Sequence, residues 1–167
     1  MEPKMVRLSA IKLAGYVINT TGRDGENFKA IPQFWADYVS DGRMEKLHGE
    51  GFIKSHTEYG ACFPEDPATE EFEYIIGVEV KDGAAVPPAY QVREMPPALF
   101  AVFSTPPADG AGFSAAIQGV WRDVFAEWLP GAACQPDPKG VSFELYDERC
   151  MSETAKVCDI YIPVLNL

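Results

Sequence analysis

The 167-residue sequence predicts an α+β fold: a duplicated strand-helix-strand-strand module whose antiparallel sheets form a central groove, with helices on the opposite face. Three observations carry this expectation. A shift of 86 residues lays Leu13 on Leu99, Ile31 on Ile117, Trp35 on Trp121, Asp37 on Asp123 and Glu58 on Glu144. A shift of 84 lays Tyr74 to Val80 (YIIGVEV) on Cys158 to Val164 (CDIYIPV). Finally, each half places one helical stripe between strand-like runs. The same element order at nearly constant spacing marks an internal repeat, here about residues 8–80 and 90–167 of a single domain spanning 1–167. One helix covers only one face of its own sheet. Two modules related by a pseudo-twofold axis would therefore set their sheets side by side, leaving a groove along the seam away from the helices.

The elements follow in order. Ile11 to Ile18 is apolar and partly β-branched, which predicts the first strand, and Thr20 to Asn27 supplies turn residues. Ile31, Phe34, Trp35, Tyr38 and Val39 recur at helical spacing, with Pro32 suited to a first turn and Gly42 to a stop. Arg43 to His56 is polar and interrupted by glycine, so it reads as irregular, and whether it forms a lid is open. Thr57 to Phe63 alternates as a strand and Pro64 to Glu71 is an acidic loop. Phe72 to Val80 is a strong strand with Tyr74, Ile76, Val78 and Val80 on one face. Lys81 to Pro97 is a proline-rich crossover in which Tyr90 to Val92 could add an edge strand.

Ala98 to Ser104 opens the second module. Phe113, Ile117, Val120, Trp121, Val124 and Trp128 form one apolar stripe, predicting a helix over 113–128 that Pro130 and Gly131 end. A loop over 132–140 leads to Val141 to Asp147, and Cys158 to Val164 closes the chain as a strand.

Composition narrows the function classes. With 14 Lys and Arg against 25 Asp and Glu, the formal charge of −11 repels phosphate backbones and attracts cations, which argues against direct nucleic-acid binding. Cys62, Cys134, Cys150 and Cys158 contain no CxxC pair, and only His48 and His56 could join them, so neither a metal site nor a cofactor is expected. Free thiols fit a reducing compartment. The start, MEPKMVRLSAIKLAG, lacks the apolar core of a signal peptide, and no run approaches the roughly 18 apolar residues of a membrane span. These readings predict a cytoplasmic protein without a membrane partner.

Within Val141 to Asp147, alternation puts Val141, Phe143 and Leu145 on one face and Ser142, Glu144 and Tyr146 on the other. If the second face meets bulk solvent, Glu144 is an ordinary surface charge. If it meets a concave wall, Glu144 is a desolvated acid beside a phenol, able to select positive ligands or to serve as an acid or base. Tyr146 shares the face of Glu144, and Tyr161 lies on the side of the last strand opposite Ile160 and Ile162, so both are pocket candidates. Tyr16 is a further candidate, whereas Trp35 and Trp121 lie on helix stripes, where they serve as core or as ligand platform. Glu58 is the repeat-mate of Glu144, and Tyr59 and Phe63 lie on the other side of its strand.

Leu13 to Ile18 (LAGYVI), Ile31 to Val39 (IPQFWADYV), Val86 to Phe103 (VPPAYQVREMPPALFAVF), Val120 to Pro130 (VWRDVFAEWLP), Phe143 to Asp147 (FELYD) and a closing DIYIPV together resemble the GyrI-like small-molecule-binding domain. That domain is the effector-binding part of AraC- and MerR-type multidrug regulators and also occurs free-standing. The resemblance covers nearly the whole chain. It implies tandem modules with an aromatic-lined groove, in which the motif glutamate, here Glu144, meets amphipathic, cationic small molecules. It also implies an alternative: some free-standing members hydrolyse strained, cyclopropane-bearing electrophiles with the same glutamate and a tyrosine, for which Glu144 and Tyr146 would be the catalytic pair. The sequence has no helix-turn-helix segment, so any regulatory role would pass through a partner regulator or enzyme.

Overall fold

Strand pairing across the middle of the molecule sets the rest of the architecture. The computed structural model describes residues 1–166 and contains the strands β1 (Lys4–Leu8), β2 (Ile11–Thr21), β3 (Ile53–Cys62), β4 (Glu71–Val80), β5 (Gln91–Met95), β6 (Ala98–Ser104), β7 (Cys134–Pro136), β8 (Ser142–Tyr146) and β9 (Asp159–Asn166). The helices are α1 (Asn27–Ser40), α2 (Arg43–His48) and α3 (Phe113–Asp123). The strands form one antiparallel sheet in the order β1-β6-β9-β8-β3-β4-β2-β5, with the short β7 added to β9. At its centre β3 pairs with β8, setting Glu58 against Tyr146, Gly60 against Glu144 and Cys62 against Ser142. The order is palindromic about this junction: β3 and β8, β4 and β9, β2 and β6, and β5 and β1 occupy matching places.

The sheet does not lie flat. β1 and β2 stand near opposite ends of the strand order yet are joined only by Ser9 and Ala10, and β5 and β6 only by Pro96 and Pro97. Such short links require the sheet to curl until its ends approach. The curled inner face is filled by side chains from both halves, including Leu13, Tyr59, Ile75, Met95, Phe100 and Phe143. On the outer face, α1 packs Phe34 and Tyr38 on Ala14, Tyr74, Ile76 and Val78. Likewise α3 packs Ile117, Val120 and Val124 on Ala101, Phe103, Ile160 and Ile162. Each such large apolar side chain contributes about 1.5–3 kcal/mol on burial.

The α+β class, the antiparallel pairing and the helix-facing set Tyr74, Ile76, Val78 and Val80 agree with the sequence reading. Four details differ. There is one sheet instead of two, because the faces left uncovered by helices cover each other inside the curl. Consequently Phe143 turns into that interior, and Glu144 turns to the same side as the helices, not away from them. Residues 43–56 are not irregular: Arg43–His48 form α2, for which Gly42 supplies the left-handed start at φ 89°, and Ile53 to His56 begin β3. β1 and β7 were not anticipated, and α1 starts four residues before Ile31, so Pro32 sits in its second turn. The second-module helix ends near the expected place, its last turns widening to π spacing over Val124–Trp128 before a tight turn at Leu129–Gly131.

Candidate functional site

Glu144 lies on β8 beside the central seam, with α1 on one side and α3 on the other. Trp121, on the third turn of α3, donates its indole N–H to Glu144 Oε1 at 2.8 Å, and the Tyr146 hydroxyl donates to Oε2. Trp35, from α1, closes the other side: its ring centroid lies 4.8 Å from that of Tyr146, and its indole N–H donates to the Tyr74 hydroxyl at 2.7 Å. Phe113 approaches the far edge of Tyr146 at 6.3 Å, and Phe125 stacks on Trp121 at 6.1 Å and 9° while remaining 55% exposed. Glu144 is thus a carboxylate held by two aromatic donors, Trp121 and Tyr146, against which Phe125, Trp35 and Phe113 pack in turn.

Gly60 makes this packing possible. A Cβ there would fall 2.2 Å from the Tyr74 hydroxyl and 3.2 Å from the Trp35 ring. Only a bare backbone opposite Glu144 lets both rings cross the seam.

The electrostatics are lopsided. Burial raises the Glu144 carboxyl above its ordinary value, and the hydrogen bonds from Tyr146 and Trp121 oppose that rise without cancelling it. Both donors are neutral, and among the described residues no Lys, Arg or His forms an ion pair with it. Burial, and then the Glu144 charge, push the Tyr146 phenol far up. The matching carboxylate in the first half is treated differently. Glu58 accepts the Tyr38 hydroxyl and lies 3.1 Å from His48 Nε2, so a titratable base stands beside it. Of the two seam glutamates, Glu144 has an indole and a phenol as its partners, whereas Glu58 has a phenol and an imidazole.

Four of the six residues expected from sequence therefore meet: Glu144, Tyr146, Trp121 and Trp35. Tyr161 does not join them. It pairs across from Phe143, stacks on that ring at 4.4 Å and 11°, and so belongs to the inner face. The reason is register: Tyr161 and Glu144 lie on neighbouring strands but are not level with each other, and Ile160 takes the place opposite Glu144. Tyr16 is on the helix side but sits further along, against Tyr38 at 6.0 Å and Tyr90 at 5.6 Å, with the Arg43 guanidinium 5.1 Å above its ring. It reaches Glu144 only through Tyr38, Trp35 and Tyr146. Sequence reasoning missed the Glu58 and His48 contact, because nothing in the spacing of the two residues signals it. Among the described residues no group of three or more His, Cys, Asp or Glu side chains is placed to hold a metal.

Over residues 4–164 the chain matches the family described as Cass2, integron-associated effector binding protein. It belongs to that family. As a Cass2-family effector-binding domain it is a small-molecule-binding module, and the GyrI-like resemblance holds. Its fold is similar to that of SAV2435 bound to tetraphenylphosphonium, with a TM-score of 0.76 at 20% identity, covering 99% of this chain and 94% of the other. It is also similar to an integron cassette protein of Vibrio cholerae, with a TM-score of 0.63 at 14% identity over 98% of this chain and 96% of that one. In sequence, 80% of the chain is 27% identical to the transcriptional regulator BrlR of Pseudomonas aeruginosa. The matched part is 46% of that regulator, so the chain spans about half of its relative's length. Among the described residues, no helix of this Cass2-family domain is long and apolar enough to cross a membrane.

Proposed function

We propose that this domain binds amphipathic cations between α1 and α3, with Glu144 as the counter-charge and the rings of Trp35, Trp121 and Tyr146 as the platform. One observation carries the reading: Glu144 is desolvated and held by neutral donors, whereas its counterpart Glu58 has a histidine beside it. A carboxylate in that condition is destabilised in its charged form, and a bound cation removes the penalty. Each aromatic face in contact with the cation adds about 0.5–2 kcal/mol. The tetraphenylphosphonium in SAV2435 is a lipophilic cation on the same fold, which supports the choice of ligand class. The overall charge of −11 would concentrate such ligands near the surface.

In this reading residues 1–167 act as one cytoplasmic domain whose two repeats, about 8–80 and 90–167, meet at the ligand. Occupancy would be passed to a regulator or enzyme partner, as the likeness to BrlR suggests. The test is titration with tetraphenylphosphonium and with neutral triphenylphosphine oxide. Wild type should prefer the cation, and Glu144→Gln should lose that preference while keeping its affinity for the neutral compound. Equal cation affinity in the two proteins would overturn the proposal.

The contact between the Tyr146 hydroxyl and Glu144 favours one second reading. A carboxylate of raised basicity beside a phenol can act as a general base on water while the tyrosine positions an electrophile, which would make the domain a hydrolase of strained, cyclopropane-bearing compounds. Turnover of such a substrate that disappears in Glu144→Gln would favour it, and absence of turnover would remove it.

A further inference from the structure

A cavity on the inner face of the sheet takes no part in the Glu144 site. It measures about 410 Å³ and opens at the end of the curl, where the link formed by Ser9 and Ala10 passes from β1 to β2. Leu8 and Ile11, at the two ends of that link, bound it on one side, and Tyr59 on β3, Leu145 on β8 and Tyr161 on β9 bound it on the other. Phe143 lies deepest, 1% exposed, stacked on Tyr161 at 4.4 Å and 5.4 Å from Tyr59. Successive residues on a strand point to opposite faces, so Leu145 turns into this cavity while Glu144 and Tyr146, on either side of it, turn to the helices.

The rim of the cavity is charged. Lys54 Nζ lies 2.9 Å from Glu79 Oε1, and Asp82, exposed on the turn after β4, completes the lining. Glu79 also stands close to the Tyr59 hydroxyl: burial, and then the Glu79 charge, push that phenol up. Among the described residues no Lys, Arg or His forms an ion pair with Asp82. One ammonium against two carboxylates leaves the lining with one uncompensated negative charge above an aromatic and aliphatic floor. A concave apolar body with a few polar groups gathered at one end is the form small-molecule sites take.

We propose that this cavity binds an aromatic monoamine, with its ring against Tyr161 and Tyr59 and its ammonium between Glu79 and Asp82. Charge decides against the alternatives. An aromatic carboxylate could pair only with Lys54, and it would have to displace Glu79 while facing Asp82. A neutral aromatic gains the floor but leaves Asp82 uncompensated. A primary ammonium supplies one positive charge and three N–H donors, matched to two acceptor-only carboxylates. A quaternary cation has no N–H to give, so it gains the charge without the hydrogen bonds. The two faces of β8 would therefore sort cations by whether they carry donors.

The probe is 2-phenylethylamine, titrated into the full chain and followed by methyl NMR and calorimetry, with phenylacetate as the anionic control. The methyl groups of Leu8, Ile11 and Leu145 should shift, and those of Ile117 and Val120 on α3 should not. Affinity for the amine should exceed that for phenylacetate and should fall about ten-fold in Asp82→Asn. It should be unchanged in Glu144→Gln, which separates this cavity from the site between α1 and α3. Leu145→Trp places a ring in the cavity and should abolish binding; thermal unfolding shows whether that variant is folded, and Asp82→Asn, at an exposed position, carries the test if it is not. Shifts confined to α3, equal affinity for amine and acid, or amine affinity unchanged in Asp82→Asn would overturn the proposal.

Discussion

The raised pKa of Glu144 would make binding of a cation depend on pH in a way that can be worked out in advance. The carboxyl ordinarily titrates near 4.5, and burial in the aromatic enclosure moves it up. Consider a permanent cation such as tetraphenylphosphonium, whose own charge does not change with pH. On the proposed reading it binds the ionised carboxylate, so below the raised value each molecule bound would expel one proton. The affinity should then rise ten-fold, about 1.36 kcal/mol, for each pH unit until the raised value is passed, and then level off. For the ligand-free protein the sign is opposite. A carboxyl that titrates higher folded than unfolded makes the folded state bind more protons, so stability falls as pH rises from 4.5 through the raised value. Calorimetric titration of the cation in buffers of different ionisation enthalpy, from pH 4.5 upwards, reads both the slope and the proton release. In Glu144→Gln the affinity should be low and flat with pH. A flat profile in wild type, or the same slope in the variant, would refute the assignment of Glu144 as the counter-charge.

Three further outcomes are expected. Gly60→Ala puts a methyl group 2.2 Å from the Tyr74 hydroxyl and should cost about 1–3 kcal/mol in denaturant unfolding, with loss of cation binding as Trp35 and Tyr74 are pushed aside. Tyr146→Phe removes one of the two donors to Glu144; stability should fall by about 1–3 kcal/mol, and the titration of Glu144, followed by carboxyl NMR, should move further upward. Arg149 bridges Asp147 and Asp159 and holds the Asp147 carboxyl below its ordinary 3.8. Stability from that pair is present above 3.8 and lost as pH falls through the lowered value. Arg149→Leu should therefore flatten the acid limb of a thermal unfolding series, and an unchanged limb would show the bridge to be idle.

How far the sequence could be read depends on what kind of information each feature needs. Local periodicity placed the strands β2, β4 and β6 and the stripe of α3, because alternation and 3.6-residue spacing are written within single segments. The pairing of Glu144 with Tyr146 was equally local: residues two apart on a strand share a face. β1 is short and half polar, and it becomes a strand only by pairing with β6, which no nearby residue announces. Tyr161 was misplaced because its face depends on the register between β8 and β9, a long-range quantity. The side on which Glu144 lies depended on the curl. Once the sheet closes on Phe143 and its neighbours, the next residue along β8 must turn towards the helices. His48 and Glu58 meet because α2 folds back beside β3, through a segment that looked irregular for want of apolar spacing.

The crossed edges of the sheet bear on how the chain reaches its fold. β1 precedes the first half in sequence but completes the sheet beside β6, and β5 precedes the second half but completes the sheet beside β2. Each half thus lends its leading strand to the other, as two arms are exchanged in a swapped dimer. A chain cut between Val80 and Gln91 would give two fragments, each lacking the strand that borders its own layer and exposing an open edge. Neither fragment has a complete core to fold around, so the two should become ordered together on mixing. Pairings such as Val6 with Phe100 span most of the sequence, so a chain dominated by them folds slowly and gains its last strands only after both halves have formed.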